Sequence, residues 1–473
     1  MQVIKNYVYN ASYQVFVLLV PLVTIPYLAR ILGPTGVGIN SYTNSVIQYF
    51  ILFGSIGVNL YGNRQVAFIR DDKDALSRTF YEIFFMRMLT ILIAYLFFLI
   101  FLVLTSQYQI YYLAQSISLI AAAFDISWFF MGVENFAVTV LRNFIVKIIT
   151  LFSIFVFVRS ESDLTNYILI LSLSLLVGNL TLFPSLKRYV YLPELSKLHL
   201  WKHLLPSLVL FIPQMATQIY LIVNKTMLGL MTSVEAAGYF DQSDKLIKMV
   251  LAIVTATGTV MLPHVANAFA KGEKEKTKIY LYRGFAFVNI MAVPMMFGLV
   301  AVTPKLVPLF FSDKFKVVTS LLIMEAIVIL FISWGSVVGN QYLLPTKQMK
   351  SYTSSVILGA FVNVIMNIPL IYFWGARGAV ITTVISEAVV SGYQLFSVRN
   401  QVNFHRMFEG FGKCMCAGLG MFIVVEVLDT TLPVSWTMLL LEIMAGIFTY
   451  LVLLILFRVQ AIKSIIKLVK DRK

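Results

Sequence analysis

Four charges share one face of an otherwise apolar stretch. Asp241, Asp244, Lys245 and Lys248 recur at i, i+3, i+4 and i+7, the spacing of a single helical stripe. Only fifteen residues, 249–263, follow before the next polar break, and crossing hydrocarbon takes about 20. The stripe therefore lies inside a span, where each charge costs about 2.5–3.5 kcal/mol and must face water, protein or a ligand. It can act as a self-neutralising ion-pair ladder, or as a cavity wall that offers ammonium groups to an anion. Gln214, Gln218 and Lys225 repeat the pattern in the preceding run at i, i+4 and i+11. Asn40, Asn44 and Gln48 form an uncharged stripe at i, i+4 and i+8, which can bind hydroxyls or join helices. Arg87 sits deep in a third run, and Arg30 and Arg64 stand near the ends of the first two, where a long side chain can snorkel to the interface. These residues form the candidate substrate cavity. Glu325 and Glu387 lie in later runs. A buried carboxylate can carry a proton, or bind Na⁺ when ionised, so these two are the candidates for ion coupling.

The elements that hold these residues follow from composition. Of 473 residues, 59% are hydrophobic and 12% charged, whereas soluble domains carry about 25% charged residues. Fourteen apolar runs read as spans, near 9–30, 38–61, 81–104, 112–132, 142–158, 164–184, 204–230, 238–263, 284–303, 317–340, 353–373, 378–398, 413–429 and 436–457. The fold class is an all-α polytopic membrane protein of about fourteen helices, which excludes a soluble enzyme, a secreted disulfide scaffold and a nucleic-acid-binding domain. An even count puts both ends on one side. Of the 37 Lys and Arg residues, Arg30, Arg159, Lys305, Lys314, Lys316 and Arg377 fall on the far side, and Arg87, Lys225, Lys245 and Lys248 fall within spans. The other 27 go to the side of the termini, which predicts that both termini are cytoplasmic. That split accounts for most of the net charge of +15 without a nucleic-acid partner.

An internal echo points to duplication. Leu32-Gly33 closes the first span before Gly38, and Leu228-Gly229 closes the seventh before Gly238. The expected organisation is an N-terminal lobe over 1–184, an interfacial linker over 185–203, a C-terminal lobe over 204–398, and two further helices with a basic tail over 399–473. Inverted or parallel repeats of this kind build central sites in transporters. Leu195, Leu198, Trp201 and Leu205 predict an amphipathic helix in the linker, and Val459, Ile462, Ile466 and Val469 oppose Lys463, Lys467 and Lys470 in the tail. Cys414 and Cys416, two apart, point to different sides of a helix and read as core thiols rather than a bridge. No phosphate-binding G-x-x-x-x-G-K-[ST] loop occurs, no metal site is expected, and the residues call for no cofactor.

One ordered series of residues resembles a known family. Pro21, Pro26, Arg30, Leu32-Gly33-Pro34, Gly36 and Gly38 are followed by Gly54, Gly57, Tyr61-Gly62-x-Arg64, the loop Arg70-Asp71-Asp72, and Asp125-x2-Trp128-x3-Gly132-x-Glu134-Asn135. The series is similar to that of the Wzx-type flippases of the multidrug/oligosaccharidyl-lipid/polysaccharide exporter superfamily, and covers roughly the first 140 residues. The resemblance implies a fourteen-helix, two-lobe transporter that alternates access about a central cavity. Its implied cargo is an undecaprenyl-diphosphate-linked oligosaccharide, moved to the outer leaflet for capsule, O-antigen or exopolysaccharide assembly. It further implies a bacterial inner-membrane location, membrane lipids as surroundings, H⁺ or Na⁺ as coupling ion, and the polysaccharide polymerase and assembly machinery as partners. Related lipid II flippases carry arginines early in the first span, and drug exporters an acid there; residues 9–29 hold neither. A drug or cation antiporter, or a polysaccharide polymerase, is the alternative.

Overall fold

The computed structural model describes the backbone of residues 2–255 and 258–459, and the side chains of 19–211, 215–216, 218–255 and 261–459. The basic stripe of the tail from residue 460 lies outside the described residues. The chain divides into two compact units, Met1–Gly238 and Tyr239–Lys473. This boundary differs from the one suggested by the duplication, because Leu204–Met231 packs with the first unit.

The first unit begins with α1 (Gln2–Ser55), broken at Gly33, whose φ of 65° and ψ of −179° suit glycine alone. Pro34 restarts the helix, since its fixed φ and missing N–H are harmless at a first helical position. Then follow α2 (Val58–Ile69), α3 (Lys73–Leu104), α4 (Gln109–Ala123), α5 (Ser127–Gly132), α6 (Phe136–Phe157), α7 (Leu164–Leu180), the short α8 (Phe183–Leu186) and α9 (Leu204–Met231). The α1 helix packs on α3, α4, α6 and α9, and α4 on α7. Asp72 caps α3 through the N–H groups of Asp74 and Ala75, both 3.0 Å away.

The second unit takes up α10 (Val234–Thr255) after Gly238 and continues with α11 (Gly258–Ala270), α12 (Lys274–Phe310), α13 (Val317–Glu325), α14 (Val328–Gly335), α15 (Met349–Trp374), α16 (Ala376–Val398), the short α17 (Phe404–Met407), α18 (Phe411–Thr431) and α19 (Trp436–Leu456). A π-helical stretch, Ser336–Leu343, extends α14, and the α13–α14 pair is bent by 41°. Cys414 is buried, but Cys416 is exposed, so only the first thiol belongs to the core.

Among the described residues, ten helical stretches are long and apolar enough to cross a membrane, or eleven with the bent pair. The first of them, Leu19–Ile69, has 51 residues, more than twice what one crossing needs. The protein is therefore a multi-pass helical membrane protein, and the figure of fourteen spans stays an expectation. The outward surface agrees with hydrocarbon surroundings: Ile145, Ile148, Ile149 and Phe152 all project from one side of α6.

Two expectations are corrected. The linker forms no amphipathic α-helix, only two 3₁₀ turns, Leu195–Lys197 and Leu200–His203. The cause is Glu82 of α3, whose carboxylate accepts the His199 N–H at 2.9 Å and holds His203 Nε2 at 2.9 Å, with extended backbone at Leu198 between the turns. Lys147, which the charge count leaves with the cytoplasmic cations although the span 142–158 contains it, lies in the middle of α6.

Candidate functional site: a polar cavity in the first unit

The amide stripe of α1 becomes the wall of a cavity of about 340 Å³ shared by α1, α4, α6 and α7. Asn40, Asn44 and Gln48 all line it, and Gln48 Nε2 donates to Asn44 Oδ1 at 3.1 Å. Across from them, Gln115 of α4 donates to Thr43 Oγ1 at 2.8 Å and to Asn40 Oδ1 at 3.3 Å. Hydroxyls add to the lining, Ser118 donating to Ser172 at 3.0 Å and Thr150 to Ser174 at 2.7 Å, and aliphatic side chains such as Leu28, Leu151, Ile154, Ile168 and Leu171 form the rest of the wall. A second cavity of about 210 Å³ lies among α1, α2 and α9; Gln48 lines it as well, with Ser55, Asn59 and Gln218. Amides and hydroxyls are donors and acceptors at once, as are sugar hydroxyls. Among the described residues, neither wall contains an Asp or Glu. The first wall does contain one cation, Lys147. The sequence holds a signal for Lys147, which the reading by spans passed over: a lysine at i−3 from Thr150 in an apolar run.

The other predicted cavity residues separate. Arg30 and Arg64 are exposed at span ends, Arg64 lying 5.4 Å from the Phe68 ring centroid. The Gln214 side chain lies outside the described residues. Lys225 is half-buried on α9. In the second unit the α10 stripe resolves into two pairs one turn apart, Lys245–Asp241 and Lys248–Asp244, each at 2.6 Å. The lysines are 40% and 45% exposed while Asp241 is buried, so the ladder presents ammonium groups outward with the carboxylates beneath them. Glu325, at the bend after α13, is fully buried and bonded to Ser243 of α10, and its second oxygen has no partner. Glu387 is half-buried on α16.

Arg87 reaches neither cavity wall. It is 2% exposed and donates to Asn59 Oδ1 at 2.7 Å and to the Asp125 carbonyl at 3.0 Å, with the Asp125 carboxylate 3.5 Å away. Asp125 in turn accepts the Ser127 N–H at 3.0 Å and so starts α5. Trp128 of that helix is fully buried against Gly62 and stacks on Phe80, Gly132 packs on Val66, and Glu134 pairs with Arg70 at 2.8 Å. The Asp125-to-Glu134 series therefore ties α2, α3 and α5 together, and its chemistry is structural.

Two buried clusters escaped the sequence reading because their members lie far apart in the chain. Lys202, 2.6 Å from Glu82, and His203 fasten the linker to α3. The Glu82 carboxylate accepts from His203 Nε2, and in the neutral ring Nδ1 accepts from the Tyr61 hydroxyl 2.7 Å away. Burial holds the His203 pKa below its ordinary value, against the pull of Glu82. In the second unit Lys305 of α12 is buried on Glu442 of α19, with Asp429 of α18 at 3.4 Å.

Comparisons with known proteins fit this picture. Residues 3–269 match the family described as "Polysaccharide biosynthesis protein". A Shigella dysenteriae protein named "Putative O-antigen transporter" is 23% identical over 403 residues, 83% of this chain and 98% of the relative. An Escherichia coli K12 protein of the same name is 22% identical over 401 residues, 84% and 96% of the two chains. Among solved structures, the lipid II flippase MurJ in an inward closed conformation superposes with a TM-score of 0.75 at 17% identity, over 96% of this chain and 99% of that one. That likeness concerns the fold.

Proposed function

The chain belongs to the polysaccharide biosynthesis protein family, and on that premise we propose that it is a flippase carrying a lipid-linked oligosaccharide from the inner to the outer leaflet. The observation that carries the reading is a cavity whose polar lining is amides, hydroxyls and one lysine, set among aliphatic side chains and without a carboxylate among the described residues, inside a bundle whose outer surface is hydrocarbon-compatible. Sugars moved through a bilayer lose their hydration, and the amides and hydroxyls of such a wall can replace part of it. The polyprenyl tail needs no such shelter and stays in lipid. The cargo is an undecaprenyl-diphosphate-linked repeat unit for O-antigen, capsule or exopolysaccharide, and the relatives named as O-antigen transporters support that class.

The reading extends to a bacterial inner-membrane protein with cytoplasmic termini, two lobes that alternate access, and no covalent chemistry of its own. Lys225, Lys245 and Lys248 supply positive potential for the diphosphate, and Asp241 and Asp244 hold the last two in place. Coupling to H⁺ or Na⁺ falls to Glu325, because a buried carboxyl with one bare oxygen has room for a proton or an ion; Glu387 is the other candidate. The polymerase and assembly machinery receive the product.

The test is chromosomal depletion followed by lipid extraction and a leaflet-accessibility assay. Undecaprenyl-linked oligosaccharide should accumulate on the cytoplasmic face while the surface polymer disappears. Normal polymer and no accumulation overturn the proposal. A Lys245→Ala/Lys248→Ala double variant, present at wild-type abundance, should fail to restore export; full restoration removes those residues from the mechanism.

A further inference from the structure

The helix α6, Phe136–Phe157, has two contrasting sides. Ile145, Ile148, Ile149 and Phe152 project outward, and Lys147, Thr150, Leu151 and Ile154 line the cavity. At i, i+3, i+4 and i+7 the latter four form one stripe, which begins at Lys147 in the middle of the helix. Lys147 stands ten or eleven residues from either end of the helix, about 15 Å at ~1.5 Å per residue. That is farther than a four-carbon stem can carry its ammonium toward an interface.

A lysine in such a place is ordinarily paired. Those on α10 and α12 are, with Asp241, Asp244 and Glu442. Among the described residues, Lys147 has no ion-pair or hydrogen-bond partner, and no Asp or Glu lines the cavity that it enters. The cation is half-buried and surrounded by groups suited to sugar hydroxyls, including Gln48, Gln115 and Thr150. The missing partner is an anion that comes with a ligand.

We infer that the Lys147 cavity is an anion subsite, in which the ammonium group binds a carboxylate or phosphate oxygen of the cargo while the amides hold adjoining hydroxyls. The inference deepens the flippase reading and rests on it for the identity of the cargo. Two sources can present such an oxygen, an acidic sugar of the glycan or the diphosphate of the carrier. Either forms an ion pair with Lys147, stronger than the hydrogen bond that the ammonium group donates to a neutral hydroxyl.

The experiment uses the full chain in phosphatidylcholine nanodiscs, with binding of three probes measured by thermophoresis: a glucuronate-containing disaccharide, the matching neutral glucose disaccharide, and inorganic pyrophosphate. Wild type should bind at least one of the two anions. Lys147→Met should weaken that anion at least tenfold and leave the neutral disaccharide within about twofold, and Lys147→Arg should restore the anion. Because the substitution removes an uncompensated charge, Lys147→Met should also raise the melting temperature without ligand, which shows that lost binding is not lost folding. Binding of the uronate alone assigns the site to the glycan, and of pyrophosphate alone to the carrier; binding of both makes it a general oxyanion site. The inference is overturned if no anion binds wild type, if Lys147→Met binds anions as wild type does, or if it weakens the neutral probe equally. Wild-type rescue of polymer export is scored in parallel in depleted cells, so failure there counts against the flippase reading and not against Lys147.

Discussion

Arg87 and Asp125 offer the sharpest division between a transport role and a structural one. At 3.5 Å the two opposite charges attract by about 5 kcal/mol in an effective dielectric of ~20, and desolvation of a guanidinium that is 2% exposed opposes most of that. The net value of the pair is therefore small, yet breaking it from one side is costly. Asp125→Asn leaves the buried guanidinium without a counter-charge and should lower stability by about 3 kcal/mol. Arg87→Met leaves a carboxylate that is 20% exposed and an exposed Asn59 amide, both reachable by water, and loses the hydrogen bonds of the guanidinium; about 2 kcal/mol is expected. The double variant removes both charges and should cost about 3 kcal/mol, a coupling of about 2 kcal/mol. Denaturation in mixed micelles, followed by far-UV circular dichroism, measures all four corners of the cycle. Additivity within about 0.5 kcal/mol refutes the pairing. The double variant should also support polymer export, because neither residue lines either cavity wall. A well-folded double variant that exports nothing would make Arg87 a transport residue after all.

Three more outcomes follow from the packing. The backbones of α1 and α10 meet at Gly38 and Gly238, where a Cβ on Gly38 would lie 2.1 Å from the Val234 carbonyl oxygen; Gly38→Val should force the helices apart and reduce cysteine crosslinking between positions 35 and 235. Glu442→Ala removes the nearer of the two carboxylates on the buried Lys305 and leaves Asp429 at 3.4 Å, so it should cost about 1.5–3 kcal/mol in thermal or denaturant unfolding. Because the folded His203 pKa lies below its unfolded value of about 6.5, the docking that it provides is intact above that pH. It weakens as pH falls further, since the undocked ring takes the proton first. Proteolysis of the linker 191–203 should accelerate on acidification below pH 6.5, and His203→Gln should flatten that dependence.

The amino-acid sequence alone determined the class of the protein, because 59% hydrophobic residues in runs of about 20 admit no other solvent than lipid. It also determined the polar stripes: a period of 3.6 decides which side chains share a helix face, so Asn40, Asn44 and Gln48 had to line up, as did Asp241 to Lys248. What each stripe faces was decided elsewhere. The α1 amides gained a cavity because α4, α6 and α7 close around them, whereas the α10 charges satisfied each other one turn apart. Arg87 looked like a cavity cation until Asp125, 38 residues on, turned out to hold it. The linker read as a helix until Glu82, 117 residues before His199, captured its backbone. Lys147 looked like one more cytoplasmic charge, and only the fold shows that none of the described residues answers it. Local periodicity is written into the covalent order, but a charge is satisfied by whatever the folded chain brings within about 4 Å, and that proximity exists only in three dimensions.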